Sequence, residues 1–190
     1  MCIRLLLLFR SGARWVLWTL QYLTMASFEE ILAQQGKLAY TNVGISMMPL
    51  LRQHRDVLII APRPVGRLKL WDVPLFRRAS GQYVMHRVLW VGRHSYVMCG
   101  DNQWRPEFGV TDDQILGVLE AVKRRPPEGV ADPDDGRLLP VRSTPEHPHV
   151  PFKYRVYVFL WCFFFPIRAF ILWFNSKLRR VRSRLRSWRT

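Results

Sequence analysis

The chain has little cysteine, no acidic residue near either end, and no apolar run of full bilayer length that is free of charge. Its 3 cysteines, Cys2, Cys99 and Cys162, are odd in number and far apart, so neither a disulfide framework nor a zinc-ligand spacing can be built from them. No internal repeat appears at solenoid periods, which excludes repeat architectures. With 49% hydrophobic and 23% charged residues in 190, collagen-like, coiled-coil and wholly disordered chains are excluded too. What is present fits one ordinary globular domain with appendages.

The net charge of +15 is unevenly spread. Between Thr24 and Pro151 there are 16 Lys/Arg against 14 Asp/Glu, whereas the first 23 and last 39 residues hold the other 13 cations and no acid. A near-neutral middle does not describe a phosphate-reading domain, and no nucleic-acid partner is expected. Basic flanks beside apolar runs are instead the composition of a membrane-surface element.

Along the chain, residues 1–24 mix Leu and Trp with Arg4, Arg10 and Arg14. They read as an amphipathic, surface-lying segment rather than a span, or as untranslated sequence if synthesis begins at Met25. Ser27 and Glu30 have capping-box spacing and Gly36 is placed to end a helix, which predicts a short helix over Phe28–Gln35. The period then changes. Residues 38–42, 57–61, 73–77, 83–91, 96–99 and 115–122 are short runs rich in Val, Ile, Tyr and Trp, punctuated by Gly, Pro and Asp. The expected fold is mainly β, an antiparallel domain over residues 25–123 with a short N-terminal helix. Residues 124–152 carry most of the prolines and read as a linker holding at most one strand, over 137–142.

Residues 153–175 are the expected membrane-associated helix, followed by a basic tail over 176–190. The apolar stretch 156–174 is 19 residues, about 28 Å at helical rise, against a hydrocarbon core of about 30 Å. Pro166 and Arg168 interrupt it, which leaves spanning, interfacial and buried placements open. The tail, with Lys177 and six arginines, is expected on the cytoplasmic face of the plasma membrane.

The chemistry-bearing stretch begins at Gly44-Ile45-Ser46-Met47-Met48-Pro49. A serine on a turn between a strand and a short apolar segment can present its Oγ beside backbone N–H groups, the donors an acyl-transfer oxyanion needs. Downstream, His86 interrupts the apolar alternation of Tyr83-Val84-Met85-His86-Arg87-Val88, and Cys99-Gly100-Asp101-Asn102 and Glu107 follow. Ser, His and a carboxylate in that order can form a relay. Order alone does not distinguish this from a turn serine and a structural strand histidine.

The boxes GISMMPLL, LKLWDVPLFRR, VMHRVLWV, CGDNQWRPEFGV and QILGVLEAV, in that order over residues 38–122, resemble those of type I signal peptidases. The resemblance implies a signal-peptidase-like β domain and a serine endopeptidase that removes signal or leader peptides from precursor proteins, without a cofactor or a metal. The bacterial branch uses a lysine base where this chain has His86, and the endoplasmic-reticulum and archaeal branch has a histidine there. The resemblance therefore implies Ser46 as nucleophile and His86 as general base, with Asp101 first and Glu107 second as the acid that orients the imidazole. Backbone donors at Ser46 and Met47 would hold the oxyanion, and Gly44, Met47 and Pro49 would line the substrate. Membrane lipid and a precursor peptide are the implied partners.

The chain also departs from the family pattern. Trp71-Asp72 stands where Gly-Asp is usual, Gly44 supplies no hydroxyl, and the strongest apolar run is C-terminal. A dedicated maturation or self-cleaving peptidase of the same fold, and an inactive peptide-binding subunit, are the alternatives. Glu146-His147-Pro148-His149 lies in the Pro-rich segment with no partner set nearby in sequence, and His54 and His94 read as solvated.

Overall fold

A computed structural model of the chain describes residues 27–41, 43–125 and 137–187, with side chains described as far as Leu178. The N-terminal segment 1–24 and the acidic part of the Pro-rich stretch lie outside the described residues. The fold is mainly β, with antiparallel sheets and a few helices.

Helix α1 (Phe28–Gln35) forms where its end signals predict. The Ser27 hydroxyl accepts from the Glu30 N–H, the Glu30 carboxylate accepts from the Ser27 N–H, and Gly36 closes the helix at φ 71°. Among the described residues nine strands follow: β1 (Leu38–Thr41), β2 (Val57–Pro62), β3 (Pro74–Arg77), β4 (Tyr83–Met85), β5 (Arg87–Val91), β6 (Tyr96–Cys99), β7 (Glu107–Val110), β8 (Ile115–Arg124) and β9 (Arg137–Pro140). All pairings are antiparallel. The larger sheet runs β1-β2-β8-β3-β4, and β5-β6-β7 form the smaller one. Strand β8 is the spine: β2 pairs along one edge, while β3 and then β9 share the other.

Period-2 alternation on this spine divides the interior in two. Leu75 and Leu119 enter one core with Leu38, Leu51, Leu58 and Ile60, while their neighbours Phe76 and Val118 enter the other with Val88, Tyr96 and Met98.

The expected single run over residues 83–91 is two strands in different sheets. β4 pairs with β3, β5 pairs with β6, and the chain crosses between sheets at His86. Strand β7 was not expected, because Phe108-Gly109 offers no alternating pattern and Gly109 sits at φ 75°.

The C-terminal region differs more. The one strand expected in the Pro-rich segment forms as β9 and joins the main sheet, but the segment is not a free linker, since Val141 and Val150 pack on the first core. The expected single apolar helix is two, α2 (Phe152–Phe163) and α3 (Phe165–Ser187), bent by 69°. Pro166 has no N–H to donate and its ring crowds the preceding turn, so α2 cannot run on through it. No single helix among the described residues is long and apolar enough to cross a membrane. Nor is α2 detached from the domain. Tyr154 and Val158 are buried in the first core, with Tyr157 and Cys162 packed beside them.

Candidate active site

The serine segment is a compact loop between β1 and β2. Met48 N–H donates to the Ile45 carbonyl (3.2 Å) and Leu51 N–H to that of Met47 (2.9 Å), forming consecutive turns. Met47, Leu50 and Leu51 point inward and anchor the loop in the core. Val43, Ile45 and Met48 are exposed, and Ser46 is half-buried among them. The substrate-lining role expected of Met47 cannot belong to its side chain, which is 2% exposed and forms part of the core. Gly44 and Pro49 remain at the surface, and the Met48–Pro49 peptide is cis.

A buried acid fastens the loop's far end. Asp56 accepts from the Arg52 N–H (2.9 Å) and from the Arg52 guanidinium (2.7 and 2.9 Å), and it also pairs with Arg124 on β8. The near end docks on the turn after β6. Asn102 donates from its N–H to the Ser46 carbonyl (2.7 Å) and from Nδ2 to that of Ile45 (3.2 Å). A Cβ at Gly100 would stand 2.6 Å from the Ser46 carbonyl oxygen, so this contact requires glycine. Cys99, just before that turn, pairs across the ladder with Arg87, the neighbour of His86. The serine loop is thus hydrogen-bonded to the base of the hairpin whose other strand begins beside His86.

His86 is fully buried, with its ring edge-on to Phe76 at 6.0 Å between centroids. Its Nδ1 lies 2.8 Å from Glu107 Oε1, a contact within ion-pair distance that is poorly directed for a linear hydrogen bond. Nε2 is buried without a hydrogen-bond partner. Burial lowers the His86 pKa to about 4 against the opposing pull of Glu107, so the ring is neutral near pH 7 and the contact joins a carboxylate to an uncharged imidazole. A proton on Nδ1 facing Glu107 leaves Nε2 as the acceptor nitrogen.

Glu107 is held in turn by Arg78, whose Nε donates to Oε2 at 2.8 Å and whose Nη2 pairs with Oε1. Partial burial would raise the Glu107 pKa, but the Arg78 hydrogen bonds and His86 prevail and hold it below the usual range.

Asp101, expected first as the orienting acid, is engaged elsewhere. It receives Arg87 bidentately, Nε to Oδ1 at 2.8 Å and Nη2 to Oδ2 at 2.7 Å, and the Tyr157 hydroxyl donates to Oδ2 at 3.1 Å. The Arg87 Nη1 also donates to the Tyr154 hydroxyl (3.3 Å) and the Trp71 carbonyl (3.2 Å). Burial disfavours the guanidinium charge, yet the Asp101 carboxylate outweighs it and raises the Arg87 pKa. The acid placed against His86 is Glu107, and Asp101 ties the site to α2. Arg87 and Tyr157 were not singled out from the sequence, where Arg78 reads as exposed charge. For Arg87 the signal was an arginine inside a strand next to the histidine.

Cys99 is the nearest thiol in sequence to this turn, and burial pushes its pKa up to about 11, which disqualifies it as a thiolate nucleophile. Glu146 and His147 do meet a third group, Glu120, with ligand atoms within 4.8 Å of one another. Lys37 already occupies that cluster, lying 3.2 Å from Glu120 and 2.6 Å from Glu146.

No family model, curated protein or solved structure matches this chain.

Proposed function

We propose that this protein is a membrane-associated serine endopeptidase that cleaves signal or leader segments from precursor proteins, resembling the Ser/His branch of type I signal peptidases. The observation that carries the reading is His86: a buried, neutral imidazole with a carboxylate at Nδ1, one residue before Arg87, which pairs with Cys99 ahead of the turn that hydrogen-bonds the Ser46 loop; Ser46 Oγ and His86 Nε2 are not hydrogen-bonded to each other. A general base needs a ring nitrogen that no other protein group already occupies.

In this reading Ser46 Oγ attacks the scissile carbonyl as His86 Nε2 takes its proton. The same proton passes to the leaving amine, and water then hydrolyses the ester by the reverse use of His86. Glu107 keeps the proton on Nδ1 and stabilises the transient imidazolium, while Arg78 holds Glu107 in place. Backbone N–H groups at Ser46 and Met47 stabilise the oxyanion. The exposed Val43, Ile45 and Met48 give an extended peptide an apolar surface beside the nucleophile.

The test is a proteome-derived peptide library incubated with the full chain in detergent and read by mass spectrometry. Cleavage at a consistent site is expected, lost in Ser46→Ala and His86→Ala by about a thousandfold or more. No cleavage by the parent chain, or equal cleavage by Ser46→Ala, refutes the reading.

A further inference from the structure

Helix α2 is apolar on two faces, and only one is covered. Tyr154 and Val158 lie in the core, while Phe152, Val156, Phe159, Leu160 and Phe163 form an exposed stripe at helical spacing. On α3 the stripe continues through Ile167, Phe170, Ile171 and Phe174, with Phe163 and Phe170 66% and 63% exposed. An apolar cleft of about 390 Å³ opens at the bend, between Trp71 and Leu89 of the β domain and Phe159, Phe163 and Pro166 of the helices. A continuous apolar surface of this extent marks a docking site.

Charge decides the occupant. Lys153 and Arg155 flank the stripe in its first turn, Lys177 and the arginines from Arg179 to Arg186 follow it, and no Asp or Glu occurs after Glu146. A surface with cations at both margins and no acid complements the anionic headgroups of a lipid leaflet. The one cation inside the apolar stretch is turned inward: Arg168 donates to the Asp101 carbonyl and lies over the Trp161 and Phe165 rings at 5.1 and 5.0 Å. Trp161 Nε1 donates to the same carbonyl at 3.0 Å. Two ties on one face therefore hold the bend against the domain.

We infer that α2 and α3 form a bent, one-sided membrane element that lies in a single anionic leaflet without crossing it, leaving the β domain and the basic C-terminus on the same side. This rests on the membrane association proposed above and is independent of the Ser46 chemistry. A straight spanning helix would have to give up Pro166's break, the Tyr154 and Val158 packing, and the Arg168 tie together. Arg168 also gives the element a reach into the site, because Asn102, which follows its acceptor, holds the Ser46 carbonyl.

The experiment has two arms. In flotation, the full chain is mixed with vesicles of phosphatidylcholine with or without one-third phosphatidylglycerol. It should float with the anionic vesicles and at least tenfold less with the neutral ones. Phe163→Asp combined with Phe170→Asp should abolish flotation, and Phe108→Asp, an exposed apolar residue elsewhere, should not. Circular dichroism verifies that each variant is folded, and Phe163→Asp alone serves if the pair is not. In the second arm, sealed membrane vesicles carrying the full chain with a C-terminal epitope are treated with protease from one side. The β domain and the epitope should be digested together or protected together. Digestion from opposite sides overturns the one-leaflet placement. Absence of vesicle binding, or self-association through this face in its place, overturns the lipid assignment. Peptide cleavage in detergent reports separately on Ser46.

Discussion

His86 and Arg87 are consecutive residues, both fully buried, and each faces a carboxylate, yet the two pairs are built for different work. Arg87 and Asp101 are saturated: a bidentate bridge, two tyrosine hydroxyls and the Trp71 carbonyl leave neither group in search of a partner. His86 and Glu107 are incomplete, with a poorly directed contact at Nδ1 and nothing at Nε2. Side chains alternate along extended backbone, so adjacent residues address opposite surroundings. The contrast teaches that a buried ion pair whose polar atoms are all hydrogen-bonded is part of the fold's framework, whereas a neutral imidazole with an uncommitted nitrogen can move a proton.

The largest way to break the comparison is at the saturated pair. Arg87→Met leaves Asp101 buried without its counter-charge and is expected to destabilise the fold by about 3–5 kcal/mol, read by chemical denaturation in detergent. A loss under about 1 kcal/mol would mean that this pair is not structural.

The incomplete pair should instead be visible in pH dependence. With the folded His86 pKa near 4, below its unfolded value near 6.5, the unfolded chain binds more protons between those values. Stability should therefore fall as pH drops from about 6.5 to about 4, by about 3 kcal/mol, and the lowered Glu107 pKa adds a loss of the same sign at the acid end. Thermal melts of the parent chain and His86→Gln check it, since the variant should lack the upper part of that slope. A parent chain that gains stability on acidification over this interval would contradict the assignment.

A smaller effect sharpens the link between the two pairs. Gly100→Ala puts a Cβ within 2.6 Å of the Ser46 carbonyl and must push the serine loop away from the Asn102 turn. Turnover should fall about tenfold to a hundredfold with the melting point little changed, a displacement near 1 Å being enough for such a loss. Unchanged kcat/KM would show that this contact does not position Ser46.

Much of this was legible in residue order. Ser27, Glu30 and Gly36 mark both ends of α1, and β6 runs over the residues its alternation indicated. The sheet switch at His86 was not legible, because the apolar pattern over residues 83–91 continues unbroken through it. Nor was it legible which acid faces His86. Asp101 and Glu107 both follow His86 at plausible distances, and what separates them is register: Glu107 pairs with Met98, while Asp101 lies in a turn reached by Tyr157 from a helix 56 residues later. The placement of the apolar C-terminal stretch was not legible either. Hydropathy sums both faces of α2 and cannot report that Tyr154 and Val158 are already covered by the β domain.

The division of labour between the two acids is tested most directly by measuring kcat/KM and unfolding free energy together for Glu107→Gln and Asp101→Asn, on a peptide the parent chain cleaves. Glu107→Gln should lose activity by about a hundredfold or more while keeping nearly all of its stability, since Glu107 is partly exposed. Asp101→Asn should lose several kcal/mol of stability, with the molecules that remain folded turning over within about tenfold of the parent. The reverse pattern, a stable but inactive Asp101→Asn beside an active Glu107→Gln, would contradict the account.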